Sequence, residues 1–354
     1  MKLRPLKYLP VYTGLAATVI SFSSEGWWTY TALIYTFFLI PILDMLMPAP
    51  EKNMTAMEEE LALKDPLYDW MVYLMLPIQY GFLVWFLVII DDPTLTTFEM
   101  WGRITAMGIL CGSLGINVAH ELGHRTKKYE QWMSKSLLLT SLYMHFFIEH
   151  NRGHHKRVAT PDDPASARYG ENIYFFYVRS VVFSYVSAWK LEAKKLQQKQ
   201  LAFWSIHNEM LRFQFIQLAL LVGIYFAFGL LPMLAFIAAA AMGFLQLETV
   251  NYIEHYGLQR RQRDNGNYEK VLPIHSWNSN HILGRLLLFE LTRHSDHHFK
   301  ASRKYQILRH FDDAPQMPTG YPGMMLLATI PPLWFAVMHR HIAKCKKEYG
   351  GAWA

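Results

Sequence analysis

The sequence predicts an all-α integral membrane protein: six transmembrane helices carrying a helical cap on the cytoplasmic side. Three observations predict it. Of the 354 residues, 52% are hydrophobic and only 18% charged, against roughly 25% charged in soluble domains. The apolar residues gather in six stretches, each near the roughly 20 residues a helix needs to cross a bilayer. The mean hydropathy is nevertheless only +0.07, so a sizeable polar block shares the chain. Residues 1–354 read as one membrane domain.

The first stretch, 8–24, follows Lys2, Arg4 and Lys7. No small-residue cleavage site comes after it, so it reads as a retained anchor rather than a signal peptide. The second and third, 27–47 and 70–90, hold Pro41 and Pro77; membrane helices tolerate proline because neighbouring groups satisfy the freed backbone. The remaining spans are expected at 98–118, 213–231 and 233–250. The turns near 24–26, 91–97 and 229–232 carry no Lys or Arg, whereas 125–128, 190–199 and 260–263 are basic. The positive-inside rule then puts both termini and the polar segments 119–212 and 251–354 in the cytoplasm. Within this cap, 172–189 and 322–338 are aromatic and apolar, but Arg179 interrupts one and Pro331–Pro332 the other. Both read as interfacial helices.

Two cysteines, Cys111 and Cys345, exclude a disulfide framework and a cysteine-based metal or iron–sulfur site. Cys111, within an apolar run, reads as a small buried hydrophobe. The net charge of +6 suits anionic lipid or an acidic partner; no nucleic-acid-binding motif accompanies it.

Histidine placement carries the chemistry. Of sixteen histidines, nine fall in short boxes: His120-Glu-Leu-Gly-His124, Glu149-His150-Asn-Arg-Gly-His154-His155, the lone His255 in Asn251-Tyr-Ile-Glu-His-Tyr-Gly257, and His294-Ser-Asp-His297-His298. On helices, His120 and His124 share a face, as do His150 and His154, and His294 with His297 or His298. Neighbouring histidines diverge by about 100°, so one metal would struggle to use both members of a doublet, while two metals would take one each. The doublets therefore favour a dinuclear site. His145, His207, His275, His281, His310, His339 and His341 read as ordinary core or surface groups, with His275 and His281 near enough to stand behind ligands. Each box also places an acid beside a histidine: Glu121, Glu149, Glu254 and Asp296. Ligating imidazoles commonly give their other N–H to a carboxylate, and such acids offset the charge of buried metals.

Imidazole suits zinc, copper, iron or nickel alike, so these residues imply a nitrogen-ligated dinuclear transition-metal site at a membrane surface. His120-Glu121-x-x-His124 also fits a membrane zinc metalloprotease with Glu121 as base. That reading needs one further ligand and leaves the other clustered histidines idle. A metal transporter would hold its ligands at mid-membrane instead.

The boxes resemble those of the membrane-bound alkane 1-monooxygenases, within the fatty-acid desaturase and hydroxylase superfamily. The likeness extends beyond the histidines, through Val-Ala-Thr-Pro-Asp-Asp-Pro-Ala-Ser-Ala-Arg at 158–168, His275-Ser-Trp-Asn-Ser-Asn-His281, Arg303-Lys-Tyr-Gln306 and Pro318-Thr-Gly-Tyr-Pro322. One departure is Thr292, where the family usually has Gln; it is not a ligand position. The resemblance implies two iron ions held by His120, His124, His150, His154, His155, His255, His294, His297 and His298. It also implies O₂-dependent hydroxylation of the terminal carbon of medium-chain n-alkanes, in the inner membrane of a bacterium. Electrons would come from rubredoxin, served by a rubredoxin reductase. Without a Cys-x-x-Cys pair in this chain, rubredoxin is expected to be a separate protein. Arg125, Lys127, Lys128, Lys156, Arg157, Lys300, Arg303 and Lys304 are candidates for docking it. A desaturase, or a hydroxylase of another apolar substrate such as an aromatic methyl group, would keep the same metals. Since an alkane has no polar handle, an apolar channel must measure it, and the second span offers Tyr30, Ile34, Phe37 and Phe38 as its end.

Overall fold

The computed structural model describes residues 4–349. Regular structure among them is helical throughout, with two isolated bridges, Gln262 with Tyr268 and Asn278 with Gln316, in place of a sheet. Lys2 lies outside the described residues.

Among the described residues, five helices are long and apolar enough by themselves to span a bilayer, not the six expected. The expected first span is the 13-residue helix α1, Val11–Ser23. At 1.5 Å per residue it rises about 20 Å, short of the roughly 30 Å hydrocarbon core. Pro10 stands just ahead of its first turn, and Arg4–Tyr8 before it winds as a 3₁₀ helix. That turn is drawn into the cap instead: the Lys7 ammonium and the Tyr8 hydroxyl both donate to Glu290, over 2.8 and 3.0 Å.

The spans are α2 (Gly26–Leu46), α3 (Leu67–Ile89), α4 (Thr97–Gly123), α6 (Glu209–Phe228) and α7 (Leu230–His255), with the cap helix α5 (Ile173–Gln198) between α4 and α6. Prolines shape the first two. Pro41 has no N–H to return, and the turn before it, Tyr35–Leu39, widens into a π-helix. Ahead of Pro77, α3 breaks at Leu74. α4 begins with a capping box made by Thr96 and Glu99, and it is the pillar of the bundle: 89% of its span window is buried, against 11–33% for the other four.

α7 packs directly on this pillar. A side chain at Gly108, Gly112 or Gly243 would come within 2.5–2.7 Å of Met242, Gln246 or Cys111 respectively. Such small residues let membrane helices approach closely. α7 also runs past its apolar stretch to His255, so residues 251–255, expected in the cap, belong to a span. Glu248, Asn251, Glu254 and His255 are buried there against cap residues, which carries the helix on beyond the apolar run. The expected interfacial segment 322–338 divides into Tyr321–Ala328 and Pro331–Tyr349, the break falling just ahead of Pro331 and Pro332.

Candidate metal centre

His120 sits in the last turn of α4, and His124 follows it by one turn. The second box lies in a helical run after a tight turn at Met144–His145. Its centre, His150–His154, is a π-helix. A π turn bonds i to i+5, so His150 is brought over His155, with Nε2 atoms 3.0 Å apart, rather than over His154 as α-helical spacing suggested. His255 closes α7. His294, His297 and His298 lie on α8, His294–Phe299.

All nine expected histidines converge, in two sets. His120, His124, His150, His155 and His297 form one; His154, His255, His294 and His298 form the other. Each doublet is divided between the sets, one member to each. Within the first, His124 Nε2 lies 3.0 Å from His150 Nε2 and 3.2 Å from His155 Nε2, and His297 Nε2 lies 3.1 Å from His155 Nε2. Within the second, His154 and His298 approach to 3.2 Å, and His255 and His294 to 3.3 Å. The remaining seven histidines join neither set.

This donor arrangement fits metal ions. His120 Nε2 is buried without a hydrogen-bond partner, and the other nitrogens crowd lone pair toward lone pair. A metal with imidazole bonds of about 2.1 Å places adjacent donors roughly 3 Å apart, the spacing found. Metal ligation needs neutral imidazole, and burial pushes the His124 ring down to about 3.

The acids divide less simply. Glu121 is taken by Arg125, Glu149 by Arg157 at 2.5 Å, and Asp296 by Arg303 and the Arg309 amide. Only Glu254 reaches a ligand ring, and it reaches His294 rather than its neighbour: its Oε2 lies 3.1 Å from His294 Nε2. Burial lifts the Glu149 carboxyl to about 7 despite Arg157. The ring-orienting acid that sequence reasoning missed is Asp163, whose Oδ2 meets His154 Nδ1 at 2.8 Å. Burial opposes its charge, but His154 and the Ser166 hydroxyl hold it below the ordinary aspartate range. His275 and His281 turn to Glu269 and Ser279.

Of the expected docking cations, Arg125 must be withdrawn. It is buried among three carboxylates, 2.7 Å from Asp69 and 2.9 Å from both Glu121 and Glu130, so its charge is neutralised inside the protein. Arg157, Arg303 and Lys304 are half-buried against Glu149, Asp296 and Asp69. Lys127, Lys128, Lys156 and Lys300 are exposed.

A cavity of about 120 Å³ leads from the apolar spans to the histidines. Tyr35, Phe37 and Ile40 of α2, Leu114 of α4 and Leu247 of α7 line its walls; His120, His150, Asn251, Glu254 and His294 stand at its inner end. Among the four expected channel residues only Phe37 lines it. Ile34 and Phe38 are 48% and 60% exposed, facing outward, and the Tyr30 hydroxyl donates to the Phe98 carbonyl. The π turn at Tyr35–Leu39 rotates α2 away from simple helical spacing, and so turns residues 35–37 and 40 inward.

Residues 96–328 match the sequence profile of the fatty acid desaturase family. Alkane 1-monooxygenase 1 of Pseudomonas aeruginosa is 42% identical over 335 residues, which cover 92% of this chain and 85% of that protein. Alkane 1-monooxygenase 1 of Alcanivorax borkumensis is 40% identical over 315 residues, covering 88% and 78%. The hydroxylase component of a Pseudomonas putida xylene/toluene monooxygenase is 29% identical over 343 residues, covering 94% and 87%.

Proposed function

The chain belongs to the fatty acid desaturase family and, within it, to the alkane 1-monooxygenases, and from that premise we propose that it hydroxylates the terminal carbon of medium-chain n-alkanes at a di-iron centre. The observation that carries this reading is the apolar cavity ending on His120, His150 and His294. A substrate without any polar group can be held only by shape and by exclusion of water. This cavity offers both, and it delivers one end of the molecule to the two histidine sets.

The reaction balances as R–CH₃ + O₂ + 2 e⁻ + 2 H⁺ → R–CH₂OH + H₂O. An unactivated C–H bond gives acids, bases and nucleophiles nothing to grip, and bound iron would supply the oxygen activation that side chains lack. The chain's own part is to hold both ions on nine imidazoles and to fix the His154 tautomer through Asp163. It also keeps the reacting carbon dry between α2, α4 and α7. The relatives also include a xylene/toluene monooxygenase component, so an aryl methyl group is the alternative substrate.

Electrons would arrive from rubredoxin, a separate acidic protein served by its reductase, at the exposed Lys127, Lys128, Lys156 and Lys300. The histidine cap and both termini are assigned to the cytoplasmic side of a bacterial inner membrane, following the lysine and arginine bias of the loops. Five spans alone would leave the termini on opposite sides, so this assignment has α1 and the 3₁₀ turn before it, whose Lys7 and Tyr8 bond to Glu290 of the cap, make the sixth crossing together. The test is turnover by purified, iron-loaded protein with rubredoxin and its reductase, supplied with O₂ and C6 to C16 alkanes. 1-Alkanols formed only with oxygen and with two irons per chain are expected. Alkenes as products, or oxidation of toluene but of no alkane, would overturn the assignment.

A further inference from the structure

Glu254 directly precedes the ligand His255, yet its side chain serves a different partner. Its Oε2 lies 3.1 Å from His294 Nε2, the same nitrogen that approaches His255 Nε2 at 3.3 Å. Its other oxygen accepts a 2.7 Å hydrogen bond from the Tyr321 hydroxyl. Glu254, His294 and Tyr321 are all buried and all line the inner end of the cavity.

Three considerations converge on the carboxylate. A histidine that ligates through Nε2 carries no proton there. A carboxylate oxygen 3.1 Å from that lone pair is then repelled unless a cation lies within reach of both. The acids also differ in partner: Glu121, Glu149 and Asp296 each face an arginine, whereas Glu254 faces a neutral tyrosine. A buried charge needs a partner of opposite sign, and no lysine or arginine among the described residues pairs with Glu254. Finally, the sets are unequal, with five histidines in one and four in the other. Glu254 meets the smaller set at His294, where its carboxylate would add an oxygen donor to the four imidazoles.

We infer that Glu254, held in place by Tyr321, is an oxygen ligand of the metal bound by the His154, His255, His294 and His298 set. This rests on the proposal that both sets hold iron. The consequence is an asymmetric centre, with one ion bound only by neutral imidazoles and the other also by an anion.

The test is Mössbauer spectroscopy of the reduced holoprotein loaded with ⁵⁷Fe, comparing wild type with Glu254→Gln and Tyr321→Phe. Wild type should hold two irons per chain and give two distinguishable ferrous components. In Glu254→Gln one component should change, or disappear with one equivalent of iron, while the other keeps its parameters. Tyr321→Phe should shift that same component at full iron content. Two unchanged components in a fully loaded Glu254→Gln protein would overturn the inference. If that variant does not fold, an unchanged spectrum in loaded Tyr321→Phe overturns it equally. Fewer than two irons in wild type would instead count against the di-iron reading itself.

Discussion

Arg125 illustrates how a single residue can change meaning between sequence and structure. Among the basic residues 125–128 it looks like a surface cation, but its side chain is only 5% exposed and touches three carboxylates. Removing one partner from such a buried group costs about 3–5 kcal/mol, because the remaining charges lose their compensation. Arg125→Met should therefore lower the unfolding temperature in detergent markedly while leaving the apparent KM for rubredoxin unchanged; an altered KM with intact stability would return the residue to the docking surface. The same contrast governs the metal site. Eight of the nine histidines are legible because they recur in short boxes, and His255 because of the motif around it. Their hydrogen-bond partners are not. Asp163 reaches back to His154 from nine positions further along the chain, beyond the helix end at Arg157 and with no local periodicity, and three of the four acids chosen for sequence proximity turn instead to arginines.

At the scale of elements, the helices are legible and the π turns are not. Apolar run length locates α2, α3, α4, α6 and α7 to within a few residues, except that α4 and α7 each run five residues further than expected, to Gly123 and His255. Helical spacing fails at Tyr35–Leu39 and at His150–His154, where one extra residue per turn shifts every side chain that follows. Phe37 and Phe38 provide a direct comparison. Phe37→Ala should lengthen the cavity and move the preferred alkane upward by several carbons, since each buried methylene is worth about 0.8 kcal/mol. Phe38→Ala should leave the length profile alone, because Phe38 points out of the bundle. Profiling C6 to C20 alkanes decides, and equal shifts in both variants would refute the rotation of α2. The entry to α1 supports a second expectation. Burial alone would raise the Glu290 carboxyl, but Lys7, Arg285 and Arg293 outweigh it and hold it at about 2. A carboxylate depressed in the folded state contributes stability above its unfolded value of about 4.3. That contribution is lost as pH falls through the folded value. Unfolding temperature should thus decline between roughly pH 5 and pH 2, and more shallowly in Glu290→Gln; parallel curves would exclude Glu290 as the cause.

For the whole molecule, the metals and the charged cap set the expected behaviour. Ions bound only by the folded state stabilise it by mass action, about 2.7 kcal/mol when present at 100 times their Kd. Chelation should lower the unfolding temperature by several degrees and ferrous iron should restore it; a chelated protein as stable as the holoprotein would mean the histidine sets hold no ion. If the exposed lysines dock an acidic donor, reversing Lys127 and Lys128 should raise the apparent KM for rubredoxin severalfold at low salt. The difference should fade above about 0.15 M, where charges are screened within roughly 8 Å. A KM insensitive to both would place docking elsewhere. One property of α4 reaches beyond the finished protein. It is the most enclosed span and also the least apolar, with a mean hydropathy of 1.2 against 1.6–2.0 for the others. Lipid scarcely meets it, so it can carry Glu99, Arg103 and Asn117. During synthesis no such shelter exists: α4 leaves the ribosome before α6 and α7 have been made, and the Arg103 guanidinium, which in the mature bundle donates to the Ile89 carbonyl at the end of α3, has only the preceding spans to lean on. Insertion of the pillar then depends on its entering the bilayer together with α3, so that the weakest insertion signal in the chain belongs to the helix around which everything else is assembled.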